Sequence, residues 1–355
     1  MAGKTDDRAV ARLIRVATYL VIGLAVTGCE RNSTVSSPGN RPAPDELIVL
    51  IGPSASHARS AGIAGGARRF AREYPPLRVQ IVTPSDNSAA ALGQATREAV
   101  ALKPGAICLF VEDVAAVRPV INELSQANVI LVTMGADSRD AAAYAHIGID
   151  TEGAAELLGA RLEDVAAGKK SYLLVHGSSV GERQRRLYER FMLKARSRYG
   201  VTLLEEQDAG SETNVAELLR EMFGRFKHAG LVVTLDPAVW LKQPASELLG
   251  DNARFATLSA TPALWECLRS GEAAALVGPL DGEIGFQAVE TALLGITKSK
   301  EGTGRRTVEC ELVTPATLDD FARRYAEAAG LNVDELLKPR ATSQPAPTSR
   351  PAVTP

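Results

Sequence analysis

The sequence predicts an α/β protein of two similar lobes, each a parallel sheet with helices on both faces, joined by several crossings of the chain. Three observations carry this. Short apolar runs of strand length alternate with helical stretches from residue 46 to 148, which is the grammar of a parallel sheet covered on both sides. The same alternation starts again at residue 149 and continues to 315. Between the two lies Val129 to Leu158, where an apolar run, a Gly/Asp/Ala loop, a short segment from His146 to Ile149 and a new helix opened by Asp150 and Thr151 follow one another. Such a stretch marks the passage between lobes, and a small molecule fits in the cleft where two lobes face each other.

A chain of 355 residues is long enough for two separate cores. Its net charge of −2 gives no global attraction to nucleic acid or to an anionic surface. Residues 1–28 read as an export signal, with Lys4, Arg8, Arg12 and Arg15 ahead of an apolar run from Val16 to Val26. That run is shorter than the ~20 apolar residues needed to cross a bilayer. It closes on Val26-Thr27-Gly28-Cys29, which resembles a bacterial lipobox, in which the cysteine is lipidated and becomes the first mature residue. An ordinary signal peptide followed by an incidental cysteine is the blander account. Residues 29–45 are rich in Asn, Ser, Pro, Gly and Arg and read as a flexible tether, so the folded part is expected to stand off a membrane of the cell envelope. Residues 339–355 form a Pro-rich tail that cannot build a core.

In the first half the strands are Glu46–Ile51, Leu77–Val82, Ala106–Val111 and Val129–Met134, with helices ending near Tyr74 and spanning Asn87–Leu102 and Val114–Ala127. Gly62, Gly65 and Gly66 lie in the first of these helices without the spacing of a dinucleotide loop, and close packing of that helix on the sheet explains them better. In the second half a helix from Thr151 to Ala167 is followed by strands at Ser171–His176, Val201–Glu205, Gly230–Leu235, Phe255–Leu258, Ala274–Val277 and Thr307–Val313. Helices fall at Val215–Phe226, Pro262–Ser270 and Ile284–Leu294, and another, carrying Arg183, Arg185 and Arg186, follows Gly177. Leu318, Phe321, Tyr325 and Ala328 repeat at helical spacing, so residues 316–338 are expected to hold a C-terminal helix packed on a lobe.

Several segments fall in the order of a known family. His146-Ile147-Gly148-Ile149-Asp150-Thr151-Glu152-Gly153 resembles the Gly-x-Asp-Asn segment of the type I periplasmic binding proteins, the ribose- and galactose-binding group. Thr257 to Pro262 resembles their Gly-Phe-Asp-Gly-x-Pro segment, Val277 to Gly285 their Val-x-Gln-x-Pro-x-x-x-Gly crossing, and Glu311 to Thr314 their closing strand. The resemblance covers roughly residues 46 to 315 and implies two Rossmann-like lobes joined by a multi-strand hinge. The N-terminal lobe then takes residues 46–148 and 280–306, and the C-terminal lobe 149–279 and 307–315. It also implies a solute-binding lipoprotein, periplasmic or at the cell surface, that closes on a small polar ligand such as a sugar and delivers it to an ABC permease. No catalysis and no cofactor are expected.

The family's sugar contacts carry over poorly. Its first-loop aromatics correspond to Ala58, Arg59 and Ser60, its Asp-Arg after the fourth strand to Gly135-Ala136, and its crossing Gln to Pro279. Asp150, Asp236 and one arginine after Gly177, with Arg185 preferred over Arg183 and Arg186, remain compatible. Candidate ligand contacts are therefore Ser54, Ser56, His57, Arg59, Asp150, Ser178, Arg185, Asp236 and Ser259. Two arginines facing one cleft suit a carboxylate or phosphate, since a guanidinium fork pairs with either. Both also read as solvated surface residues, and the two aspartates as helix caps. A fold that has lost its ligand and acts as a sensor or protein-interaction module is the second reading.

Gly177-Ser178-Ser179-Val180-Gly181 fits G-x-S-x-G between a strand and a helix, which makes a hydrolase built on Ser179 the third reading. It is disfavoured, because the one downstream histidine, His228, precedes a strand. His57, His146 and His176 have no metal-ligand spacing. Cys108, Cys267 and Cys310 read as core thiols, with room for one disulfide in an oxidising compartment.

Overall fold

The computed structural model describes residues 46–75, 77–86, 88–112, 114–127, 129–136, 143–177, 182–209, 214–249, 253–299 and 302–338. Cys29, Ser178, Ser179 and the Pro-rich tail lie outside them.

In chain order the first half contains β1 (Leu47–Ile51), α1 (Ser60–Glu73), β2 (Arg78–Val82), α2 (Ala89–Ala101), β3 (Ala106–Val111), α3 (Val114–Gln126), β4 (Ile130–Gly135) and β5 (Ala145–Ile149). The second half begins with α4 (Thr151–Ala160), α5 (Leu162–Ala166), β6 (Ser171–Gly177), α6 (Glu182–Ala195), β7 (Thr202–Ala209), α7 (Val215–Arg225) and β8 (Leu231–Thr234). It continues with α8 (Ala238–Lys242), β9 (Arg254–Thr257), α9 (Trp265–Ser270), β10 (Ala273–Gly278), α10 (Asp281–Ile296), β11 (Gly304–Val308), β12 (Glu311–Val313), α11 (Leu318–Ala329) and α12 (Val333–Leu336).

The strands form two six-stranded sheets, ordered β11-β5-β4-β3-β1-β2 and β12-β10-β9-β8-β6-β7. All neighbours run parallel except β12, which lies antiparallel to β10. The inner strands are buried on both faces because their side chains alternate between two cores. Ile48 and Leu50 of β1 enter one cluster with Ile63, Phe70 and Ile284, while Val49 and Ile51 enter the other with Leu92, Val117 and Leu124. The second sheet repeats this, with Leu173 and Val175 facing Trp265 and Phe321, and Tyr172 and Leu174 facing Leu158 and Phe191.

Where the chain passes between sheets, sequence and structure differ in detail. The single strand expected from Thr307 to Val313 is two strands in different sheets: β11 pairs with β5, the chain turns at Glu309 and Cys310, and β12 pairs with β10. A strand cannot keep one ladder while changing sheets. The helix expected from Thr151 to Ala167 breaks at Arg161, and Ala167 ends its second part in the left-handed region at φ 48°. β7 runs on to Ala209 through polar residues because it is an edge strand with a partly exposed side.

The glycines of α1 do pack closely, but against helices rather than the sheet. A Cβ on Gly65 would lie 2.0 Å from the Ala329 carbonyl oxygen of α11, and one on Gly66 1.8 Å from the Gly282 carbonyl oxygen of α10. Gly285 approaches the Ile63 carbonyl in the same way, at 1.9 Å. These three helices meet backbone to backbone, so any side chain at those positions must displace a neighbour.

Candidate functional site: a polar cleft at the strand ends

In an open parallel sheet the ligand crevice lies at the carboxyl ends of the strands, where the strand order reverses. In the first sheet that point falls between β1 and β3, and in the second between β6 and β8. The loops there carry Ser54 to Arg59 after β1, Glu112 after β3 and Asp236 after β8, and Arg183 lies in the first turn of the helix after β6.

The loop after β1 is held by its own backbone: His57 N–H donates to the Ser54 carbonyl and Ser60 N–H to that of His57, both at 3.0 Å. Ser54 is buried and within 3.2 Å of the exposed Ser56 hydroxyl. His57 Nδ1 accepts from Arg59 N–H at 3.2 Å, which leaves the proton of the neutral ring on Nε2, 3.8 Å from Glu112. The ring also stands edge-on to Phe110, with centroids 5.3 Å apart. Burial pushes the His57 pKa down; Glu112 and Asp281 oppose this, and Arg59 adds to it.

Arg59 reaches across to Asp281, the first residue of α10, with Nη1 2.5 Å from Oδ1. The other oxygen of that carboxylate accepts from the Tyr325 hydroxyl of α11 at 2.9 Å. Asp281 is 1% exposed, so a carboxylate there needs both donors as well as the favourable end of the helix dipole. Burial raises its pKa, while Arg59 and Tyr325 pull it back. Burial raises the Tyr325 hydroxyl well above the usual tyrosine range, and the Asp281 charge adds to that.

On the second lobe Arg183 of α6 is near enough to Arg59, Glu112 and Asp236 to feel their charge. Burial lowers its pKa and the charge of Arg59 adds to this, while Asp236 and Glu112 act the other way. Its charged neighbours thus come from both lobes. Among the described residues no ion pair is formed by Arg183 itself. Arg185 lies 59% exposed beside Glu189 at 3.8 Å, and Arg186 ties α6 to Glu152 of α4 at 3.6 Å. Residues two apart on a helix point about 200° apart, so Arg183 and Arg185 cannot share a face.

The remaining candidates divide. Asp150 caps α4, accepting from Gly153 N–H at 2.8 Å, and so fills the structural role open to it. Asp236 accepts from Ala238 N–H at 2.8 Å and also acts on Arg183. Ser259 is buried, with its hydroxyl 3.4 Å from that of Thr261. Glu112, Asp281 and Tyr325 were not among the sequence candidates. An acidic residue opening the helix after Gly278-Pro279-Leu280, inside the crossing motif, was the available signal for Asp281.

Cys108, Cys267 and Cys310 are free thiols, and burial pushes the last two up to about 12. No group able to hold a metal ion is found among the described residues.

Comparison with known proteins gives the same fold. An arabinose binding protein from Geobacillus stearothermophilus superposes with a TM-score of 0.67 at 12% identity, covering 78% of this chain and 99% of that one. A solute binding protein from Agrobacterium vitis, bound with alpha-D-tagatopyranose, gives 0.64 at 18% identity over 79% and 98%. A glucose-galactose binding protein from Geobacillus stearothermophilus gives 0.62 at 19% over 76% and 98%. Among curated protein sequences none matches. A family model described as a periplasmic binding protein domain matches residues 48–299, from the first strand through the crossing helix that supplies Asp281. By that match this two-lobed chain belongs to the periplasmic binding protein domain family, a family of binding proteins rather than of hydrolases.

Proposed function

We propose that the chain is an exported receptor of the cell envelope, anchored through lipid on Cys29, that captures a small polar solute in the cleft and hands it to an ABC permease. The observation that supports this reading is the match to the periplasmic binding protein domain family over residues 48–299, with Arg59, Glu112 and Asp236 following the strands where each sheet reverses its order. A ligand that touches both walls favours the closed arrangement by the contacts it makes to each.

The best-supported ligand is an uncharged polyhydroxyl compound, a sugar or related polyol. Arg59 is already neutralised by Asp281 and Arg185 lies exposed beside Glu189, so that pair gives little reason to prefer an acidic ligand, and the charge of Arg183 is offset by Asp236 and Glu112. A neutral ion pair still offers donors and acceptors to hydroxyl groups.

A thermal-shift screen of the mature chain against sugars, polyols, sugar phosphates, nucleosides and organic acids tests this. Ligand at ~100 times its Kd adds about 2.7 kcal/mol of stability. A shift confined to the uncharged classes supports the reading, and one confined to acids or phosphates overturns the ligand class. No shift with any class points to the sensor or interaction module instead. Cys29→Ser should move the protein from the membrane fraction to the soluble one, and its retention in membranes would remove the lipid anchor.

A further inference from the structure

Arg59 and Asp281 form a pair with two unlike sides. The side chain of Arg59 is 16% exposed and that of Asp281 1%, so the pair meets solvent through the arginine and the carboxylate lies behind it. A guanidinium carries five N–H donors, and the bond to Asp281 engages it at Nη1, leaving other N–H groups for a second partner. The loop that holds Arg59 follows β1 at the carboxyl end of the first sheet, where the strand order reverses.

Behind the arginine, Asp281 is seated from two directions. Its Oδ1 faces Arg59, and its Oδ2 accepts from the Tyr325 hydroxyl at 2.9 Å. Tyr325 stands on α11, beyond residues 48–299 that the family model matches, so a helix outside the matched domain helps to build this seat. Three groups act by charge to favour the ionised Arg59, namely Asp281, Cys310 and Tyr325. Burial pushes the Cys310 thiol up to about 12 and raises the Tyr325 hydroxyl well above the usual tyrosine range, so both keep their protons at neutral pH. The Asp281 carboxylate is therefore the charge that balances Arg59.

We propose that Asp281 decides the charge of the solute that the loop after β1 accepts, acting through Arg59 as a positioning residue. With the carboxylate in place, the remaining N–H groups of Arg59 offer hydrogen bonds without a net charge, which suits hydroxyl groups. An acidic solute meets a cation that is already paired, with a second carboxylate behind it. Without that carboxylate the same N–H groups belong to an unbalanced cation and pair with an acidic group. This inference rests on the reading of the cleft as a solute site and names the residue that sets the solute class.

The test is calorimetric titration of the full chain with inorganic phosphate at neutral pH and fixed ionic strength. The parent should show no saturable binding up to the highest concentration used. Asp281→Asn keeps the shape of the side chain and removes its charge, and should saturate at concentrations about tenfold below that limit. Arg59→Lys/Asp281→Asn should gain binding too, and its flexible ammonium can turn to water, which spares the fold where an unpaired guanidinium does not. Arg59→Met/Asp281→Leu has no cation and should gain nothing. Tyr325→Phe loosens the seat but keeps the carboxylate, and should stay at the parent's level. Saturable phosphate binding by the parent overturns the proposal, as does its absence from either folded asparagine variant. A gain in Arg59→Met/Asp281→Leu or in Tyr325→Phe overturns it as well, because loosened packing rather than lost charge would then open the site. The sugar and polyol screen on the parent tests the solute reading separately. If no solute binds there while Asp281→Asn gains phosphate, that reading fails and the role of Asp281 stands.

Discussion

Arg59 and Asp281 meet at 2.5 Å although 222 positions separate them in the chain. One sits in the loop after the first strand and the other begins the helix that returns to the first sheet, so their pair forms only once the chain has come back from the second lobe. Removing one partner of a buried pair strands the other charge, at a cost of about 3–5 kcal/mol. Asp281→Asn should therefore lower stability by about 3 kcal/mol in urea unfolding. The double variant Arg59→Met/Asp281→Leu should lose less, because it leaves no charge unpaired.

Tyr325→Phe keeps the ring against Trp265 and removes one hydrogen bond to a carboxylate, a loss of about 1.5 kcal/mol. Because burial raises the hydroxyl's pKa in the fold, its stabilising contribution is present below the unfolded tyrosine value and is lost as pH rises further. An ultraviolet titration should show Tyr325 ionising only with alkaline unfolding. Subtracting the Tyr325→Phe titration from the parent's identifies it.

His57 gives the chain an acid sensitivity of opposite sign. Its folded pKa is lowered, so below the unfolded value of 6.5 the unfolded chain binds the extra proton and stability falls with pH. Protonation on Nδ1 would also break its bond to Arg59 N–H and set a second cation beside Arg59. His57→Gln should flatten the slope of stability against pH between about 5 and 7, as measured by denaturant midpoints at fixed ionic strength. An unchanged slope would locate the sensitivity elsewhere.

Arg183 feels the charges of Arg59, Asp236 and Glu112, whereas Arg185 stands beside Glu189 alone. With any solute that shifts the melting temperature, Arg183→Ala should lower affinity by roughly tenfold or more, the loss of one hydrogen bond to a charged donor. Arg185→Ala should leave affinity within error and cost almost nothing in stability, since its partner Glu189 is equally exposed.

The strands were legible because each is a short apolar run closed by turn residues, and a strand buried on both faces needs little else. AICLFV from Ala106 to Val111 is such a run, and all six residues are buried. The crossing at Glu309 and Cys310 was less so, because a change of sheet leaves no mark on periodicity. The candidate site was partly legible, since topology places the loop after β1 at the carboxyl end of the sheet whatever its residues. Asp281 and Tyr325 were not, because the value of a lone acid or a stripe tyrosine depends on a guanidinium brought from the other end of the sequence. Telling Arg183, Arg185 and Arg186 apart requires the phase of α6 relative to the sheet, which follows from where that helix starts and not from its composition.

The return of α10 to the first sheet also bears on how the chain is made and exported. Ile284, Ala288, Val289 and Ala292 cover Ile48, Leu50 and Cys108, and β11 supplies the edge strand beside β5. During synthesis from the N-terminus the first sheet thus keeps one face only half covered, by α1, and one open edge until residue 308 has emerged. Contacts so distant in sequence fold slowly. A nascent chain that stays unfolded until almost its end is a chain that can still be threaded through a narrow translocation channel.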